Sequence, residues 1–186
     1  MGKANRGGNG LSSPAGIATD GDGDVILAGN FEVSIDFGCG VINGPNTLPN
    51  RTQSVFVAKL DGAGNCLWSK GFGEPDLQQT AYGVAVGPNG DVSVTGLFSG
   101  KIDFGGGPLA GSFFVAEFDP AGAYRWSHGI AGQYAVAGSS GTGSWMAASG
   151  TAIFIAGGFN SPTLSLPGQV LTLGSRTDTY LASFVP

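Results

Sequence analysis

Apolar and polar positions alternate with a period of two through most of this chain. Asp91-Val92-Ser93-Val94-Thr95 and Phe114-Val115-Ala116-Glu117-Phe118 are clear instances, and that period belongs to strands rather than helices. The alternating runs are separated by turn-forming quartets: Gly21-Asp22-Gly23-Asp24, Asp61-Gly62-Ala63-Gly64, Pro88-Asn89-Gly90-Asp91 and Asp119-Pro120-Ala121-Gly122. Each joins Asp, Asn or Pro to glycine, residues that fix turn geometry or supply a positive φ. In the middle of the chain the pattern predicts four strands, Tyr82 to Val86, Asp91 to Phe98, Ser112 to Phe118 and Ala123 to His128, and no helix of any length.

The pattern recurs. Residues 16–40 match residues 83–107 at 12 of 25 positions without a gap, and residues 54–71 match 112–129 at 10 of 18. A more divergent third copy begins near Ser144. Periods of this length point to a repeated supersecondary unit. The chain therefore divides into one domain, 1–186, with 1–14 as the trailing strand of a unit, then units at 15–80, 81–143 and 144–186, the last lacking its fourth strand. Sliding residues 3–13 onto 59–69 pairs Lys3 with Lys59, Asn9 with Asn65 and Leu11 with Leu67. On this reading the N-terminal strand completes the last unit.

Four antiparallel strands repeated around an axis describe a β-propeller blade. The expected fold is thus all-β, a β-propeller of about three four-stranded antiparallel blades per chain. The motifs VxVTGxFxxxIDFGGG and FVAxxDxxGxxxWS resemble the bacterial β-propeller repeat family known as SBBP repeats. That resemblance implies a repeat scaffold in a secreted or cell-surface setting, although the opening MGKANRGGNG has no apolar signal-peptide core. Because propellers use four to eight blades, three per chain imply self-association of two chains into a six-bladed ring. A piece of a longer propeller is the alternative.

Composition narrows the partners. Among 186 residues are 35 glycines and only 8 Lys and Arg against 13 Asp and Glu, a net charge of −5. The cations are scattered, so neither nucleic acid nor an anionic membrane surface has a basic patch to meet. Cys39 and Cys66 permit one disulfide and are read as small buried thiols, with their pairing left open.

Candidate chemistry is sparse. Asp20, Asp22 and Asp24 have the close spacing of a calcium loop, but the matching positions Gly87, Asn89 and Asp91 do not keep the ligands. They are read as a turn, with calcium as the alternative and no other cofactor. Asp36 and Asp103 recur in IDFG and are read as turn caps. Trp68 and Trp126 recur in the WS motif and are read as covers over the junction between units. His128 is the only histidine, which excludes a three-histidine metal site, and its match to Lys70 reads as an exposed strand end rather than a catalytic base. No catalytic residue is assigned. The connections after the second strand of each unit differ most in length, and loops carry recognition. Arg51, Glu74, Asp76, Gln78, Gln133, Tyr134, Arg176 and Asp178 are therefore the candidate ligand-binding rim. The expected function is a non-catalytic propeller scaffold binding protein or carbohydrate on that rim. The alternatives are a carboxylate-based glycosidase or lyase, and a structural half-propeller without a ligand.

Overall fold

The computed structural model describes residues 8–45, 52–75, 77–131, 145–150, 152–159, 162–172, 174 and 178–185, the side chains of Trp145 and Phe159 excepted. Its strands are β1 (Ser12–Thr19), β2 (Val25–Phe31), β3 (Ser34–Asp36), β4 (Val41–Asn43), β5 (Ser54–Leu60), β6 (Cys66–Phe72), β7 (Gln79–Val86), β8 (Val92–Phe98), β9 (Phe113–Phe118), β10 (Tyr124–Ile130), β11 (Trp145–Ser149), β12 (Ala152–Phe159), β13 (Thr163–Leu166), β14 (Gln169–Thr172) and β15 (Asp178–Phe184). The four strands expected between β7 and β10 are all present, with ends shifted by up to three residues. No helix among the described residues is long and apolar enough to cross a membrane.

The fifteen strands fall into five separate antiparallel sheets: β1-β2-β5-β6, β7-β8-β9-β10, β11-β12-β15 and the hairpins β3-β4 and β13-β14. None of them closes on itself, and the described residues form no ring of blades. The propeller expectation is corrected on this point, and with it the ring of two chains and the half-propeller. Nor are the units alike, since the third sheet has three strands where the first two have four. The N-terminal strand does not complete the third sheet. It lies on the first, where β1 pairs with β2 along its length, and the pairing continues outward as Glu32 N–H donates to Leu11 O and Ser34 N–H to Asn9 O. The segment resembles an outer strand in sequence, yet its hydrogen bonds are those of a first strand.

Period-two alternation explains how the three larger sheets stack. On β5, Val55 and Val57 face the second sheet while Phe56 and Ala58 face the β3-β4 hairpin. On β9, Phe114, Ala116 and Phe118 face the first sheet while Phe113 and Val115 face the third. Both strands are central and buried on both sides. Their sequences therefore read as near-continuous apolar runs. The third sheet presents Ile153, Ile155, Tyr180, Ala182 and Phe184 inward and leaves Phe154 and Leu181 exposed on its other face.

The long connections are folded covers rather than open loops. Phe37 lies 4.9 Å from Phe56 and Phe104 lies 4.9 Å from Phe114, ring centre to ring centre. Opposite each of Phe56 and Phe114 stands a glycine, Gly29 or Gly96, where a Cβ would collide with the phenyl ring. The IDFG motif is thus a plug, and its Asp is the expected cap: Gly38 N–H donates to Asp36 Oδ1 at 2.7 Å, and Gly105 N–H to Asp103 Oδ1 at 2.7 Å. Cys39 and Cys66 are not free thiols. They form a disulfide with Cα atoms 5.5 Å apart, tying the end of the first plug to β6.

Candidate functional site

The tight turns of the first two sheets gather at one end of the stack, and the longer connections at the other, as the registers Val25↔Leu60 and Phe31↔Ser54 require. Asp20, Asp61 and Asp119 each accept backbone N–H bonds from residues two and four further on, and Gly23, Gly64 and Gly122 take φ near 80°. This is turn chemistry, as the quartets imply.

At this end each junction between sheets carries one ionisable group on its central strand. In the first it is Lys59, only 6% exposed, whose Nζ lies 2.8 Å from Asp20 Oδ2 and 3.3 Å from Asp24 Oδ2. The hydrogen bond from Lys59 holds the Asp20 carboxyl below its ordinary range. Burial opposes the Lys59 charge, but the bonds to Asp20 and Asp24 outweigh it and raise its pKa. Two of the three carboxylates read as a calcium alternative thus converge on an ammonium group, and no cluster of three or more metal-ligating side chains occurs among the described residues. Trp68 covers this junction, its Nε1 donating to Pro120 O at 3.0 Å.

The second junction has the opposite sign. Glu117 occupies the position matching Lys59 and is 2% exposed. It sits in a row across three strands, opposite Ser93 on β8 and Trp126 on β10. Trp126 Nε1 donates to Glu117 Oε1 at 3.0 Å and Ser93 Oγ to Oε2 at 3.3 Å. Burial raises the Glu117 pKa, with the nearby Asp91 charge adding to it. Asp91 is itself paired with Arg125, Nη2 to Oδ1 at 2.9 Å. Among the described residues no fourth strand lies beside β15, and no counterpart of the Pro120 turn lines this junction. A cavity of about 260 Å³ remains between the sheets, lined by Glu117, Asp91, Ser93 and Arg125 from one side and Ser149, Ile153 and Val185 from the other.

Of the candidate rim, Arg51, Asp76, Gln133, Tyr134 and Arg176 lie outside the described residues. Gln78 joins Gln53 through its amide and caps Ser99, Nε2 to Oε1 of Gln53 at 3.0 Å and Ser99 Oγ to the Gln78 carbonyl at 3.1 Å. Glu74 lies between β6 and β7, and Asp178 opens β15. All three belong to the end opposite the Glu117 cavity. The cavity itself was not among the candidates. Its signal was the exchange of Lys59 for Glu117 at matched inward positions, together with Asp20 becoming Gly87.

Fold and cleft together define an all-β protein of stacked open sheets with a polar pocket between the second and third. No model of a known protein family matches the chain. An uncharacterized WD repeat-containing protein of Acanthamoeba polyphaga mimivirus is 36% identical over 86 residues, which is 45% of this chain and 6% of that protein's length. The resemblance to the bacterial propeller repeat family is accordingly corrected: what is found is a distant, partial WD-repeat likeness. The propeller-scaffold function falls with the closed architecture it required.

Proposed function

We propose that this chain is a non-catalytic recognition module that takes a small cation-bearing ligand in the cleft between the second and third sheets. The observation that carries this reading is Glu117, a desolvated carboxyl lining the cavity, whose hydrogen bonds come from the uncharged Trp126 and Ser93. Each carboxylate oxygen can accept a further bond; the Arg125 charge acts on Glu117 without bonding to it, being paired with Asp91, and a buried charge without a bonded opposite charge is costly. A ligand ammonium or guanidinium compensates it as Asp20 and Asp24 compensate Lys59 next door. Asp91 is engaged by Arg125, which leaves Glu117 without a second free carboxylate for general acid-base work on one bond. The Cys39–Cys66 disulfide supports an oxidising compartment as the working environment.

Calorimetric titration with ethylammonium at pH 7.5 tests the reading. Saturable binding that Glu117→Gln weakens about tenfold or more supports it, and so does affinity that declines on acidification, because the ligand binds the ionised carboxyl. Equal binding by both proteins overturns it. Turnover of a glycoside that Glu117→Gln abolishes would overturn its non-catalytic part.

A further inference from the structure

Past Val185 the Glu117 cavity adjoins a second one of about 370 Å³, lined by Trp126, His128, Pro167, Ser183, Phe184 and Val185. Three of those side chains are rings. Trp126 and Phe184 are stacked with centres 6.2 Å apart and planes 20° from parallel. His128 lies 5.3 Å from Trp126 and 6.1 Å from Phe184. Val185 lines both cavities, and Trp126 links them from the second, since its Nε1 holds Glu117 Oε1 while its ring forms part of the ledge. In the first junction the corresponding ring, Trp68, is tied down by Pro120 O and packed against Phe118. In the second junction Phe184 takes the place of Phe118, the indole N–H turns to Glu117 instead of a backbone carbonyl, and the ledge faces a cavity.

We propose that the ligand of this cleft is an arylalkyl ammonium ion, its charge on Glu117 and its flat apolar body against Trp126, His128 and Phe184. This inference rests on the reading of Glu117 as a cation acceptor. An aromatic body gains by covering ring faces that water otherwise wets, through offset or edge contacts, and a cation beside an indole gains from the ring's negative face. A sugar would also lie on the ledge but leaves the Glu117 charge unmatched. A short alkyl amine answers the charge and leaves the half-buried Trp126 and exposed His128 uncovered. The charged groups around Glu117 are Asp91 and Arg125 on the second sheet, and among the described residues the third sheet contributes no titratable side chain to this cavity.

The test compares phenethylammonium, ethylammonium and neutral 2-phenylethanol by calorimetry on the intact chain, on Glu117→Gln, and on His128→Ala and Phe184→Leu. Phe184→Leu keeps apolar volume while removing a ring, and His128 is exposed, so both variants should fold. Phenethylammonium is expected to bind about tenfold more tightly than ethylammonium. Phe184→Leu and His128→Ala should narrow that ratio, and Glu117→Gln should weaken both amines. Equal affinity for the two amines, with both still dependent on Glu117, overturns the aromatic ledge and leaves the cation site standing. If 2-phenylethanol binds as well as phenethylammonium and Glu117→Gln changes nothing, the cation reading fails and this ligand class with it.

Discussion

Two buried side chains at matched positions carry opposite charges, and their energetics differ accordingly. Lys59 is fully answered by Asp20 and Asp24. Lys59→Ala would leave the Asp20 carboxylate, 3% exposed, without a cation, at a cost of about 3 to 5 kcal/mol, readable in urea unfolding. Lys59→Ala combined with Asp20→Asn should recover part of that loss. Because Lys59 holds the Asp20 pKa below its model-peptide value of 3.8, this stabilisation is lost only as pH falls through the still lower folded value. Glu117 works the other way. Its folded pKa lies above 4.5, so between the two values the folded state binds more protons than the unfolded one, and stability falls as pH rises through that window. Glu117→Gln keeps acceptor and donor for Trp126 and Ser93 and removes the charge. It should raise the melting temperature at pH 7 by about 2 to 4 °C, near 1 kcal/mol, with the gain vanishing below pH 4.5. A residue that costs stability where it lines a cavity fits a binding role better than a structural one.

At the scale of elements, the two plug segments solve one problem by different chemistry. Cys39 and Cys66 correspond to Gly106 and Tyr124. Where the first sheet has a covalent link, the second lays the Tyr124 ring against Gly105 and Gly106, too close for a Cβ at Gly106. The disulfide closes a separation of 27 residues, which the chain-entropy account values at about 3 to 4 kcal/mol. Gly106→Cys with Tyr124→Cys should therefore form a second disulfide, seen as loss of both thiols in nonreducing mass spectrometry, and failure to oxidise would show that the two plugs are not superimposable. Much of this level was legible in the sequence. Turn quartets, strand runs and the capping role of Asp36 and Asp103 follow from local pattern because their hydrogen bonds are local. The Cys39–Cys66 link is not legible there, because its pairing depends on where the cover folds back, which period-two alternation does not encode.

For the whole molecule, recurrence in the sequence was a weaker guide. Twelve identities in 25 positions report that two sheets share a core pattern. They do not report how sheets are arranged, since Val55, Val57 and Phe114 would be buried wherever another sheet covers them. The ring was inferred from counting units, whereas the structure shows a row of open sheets with a cover at one face and a bare face at the other. The cleft escaped notice for a related reason. Loop length varies visibly along the chain, but the informative change lies inside the strands, at Lys59 and Glu117, where the seal of the first junction becomes the opening of the second.

The bare side of the third sheet has a price in solution behaviour. Among the described residues β15 lies at the margin of its sheet and bears Leu181 at 71% exposure, with Phe154 beside it on the same outward surface, and one carboxylate, Asp178, is its sole charge. Unprotected margins of this kind template intermolecular pairing, and an outward lysine is the usual gatekeeper against it. Leu181→Lys should leave the unfolding free energy within about 0.5 kcal/mol of the parent while raising the concentration at which the protein begins to scatter light. If the precipitation threshold does not move, the colloidal weakness of the chain resides elsewhere.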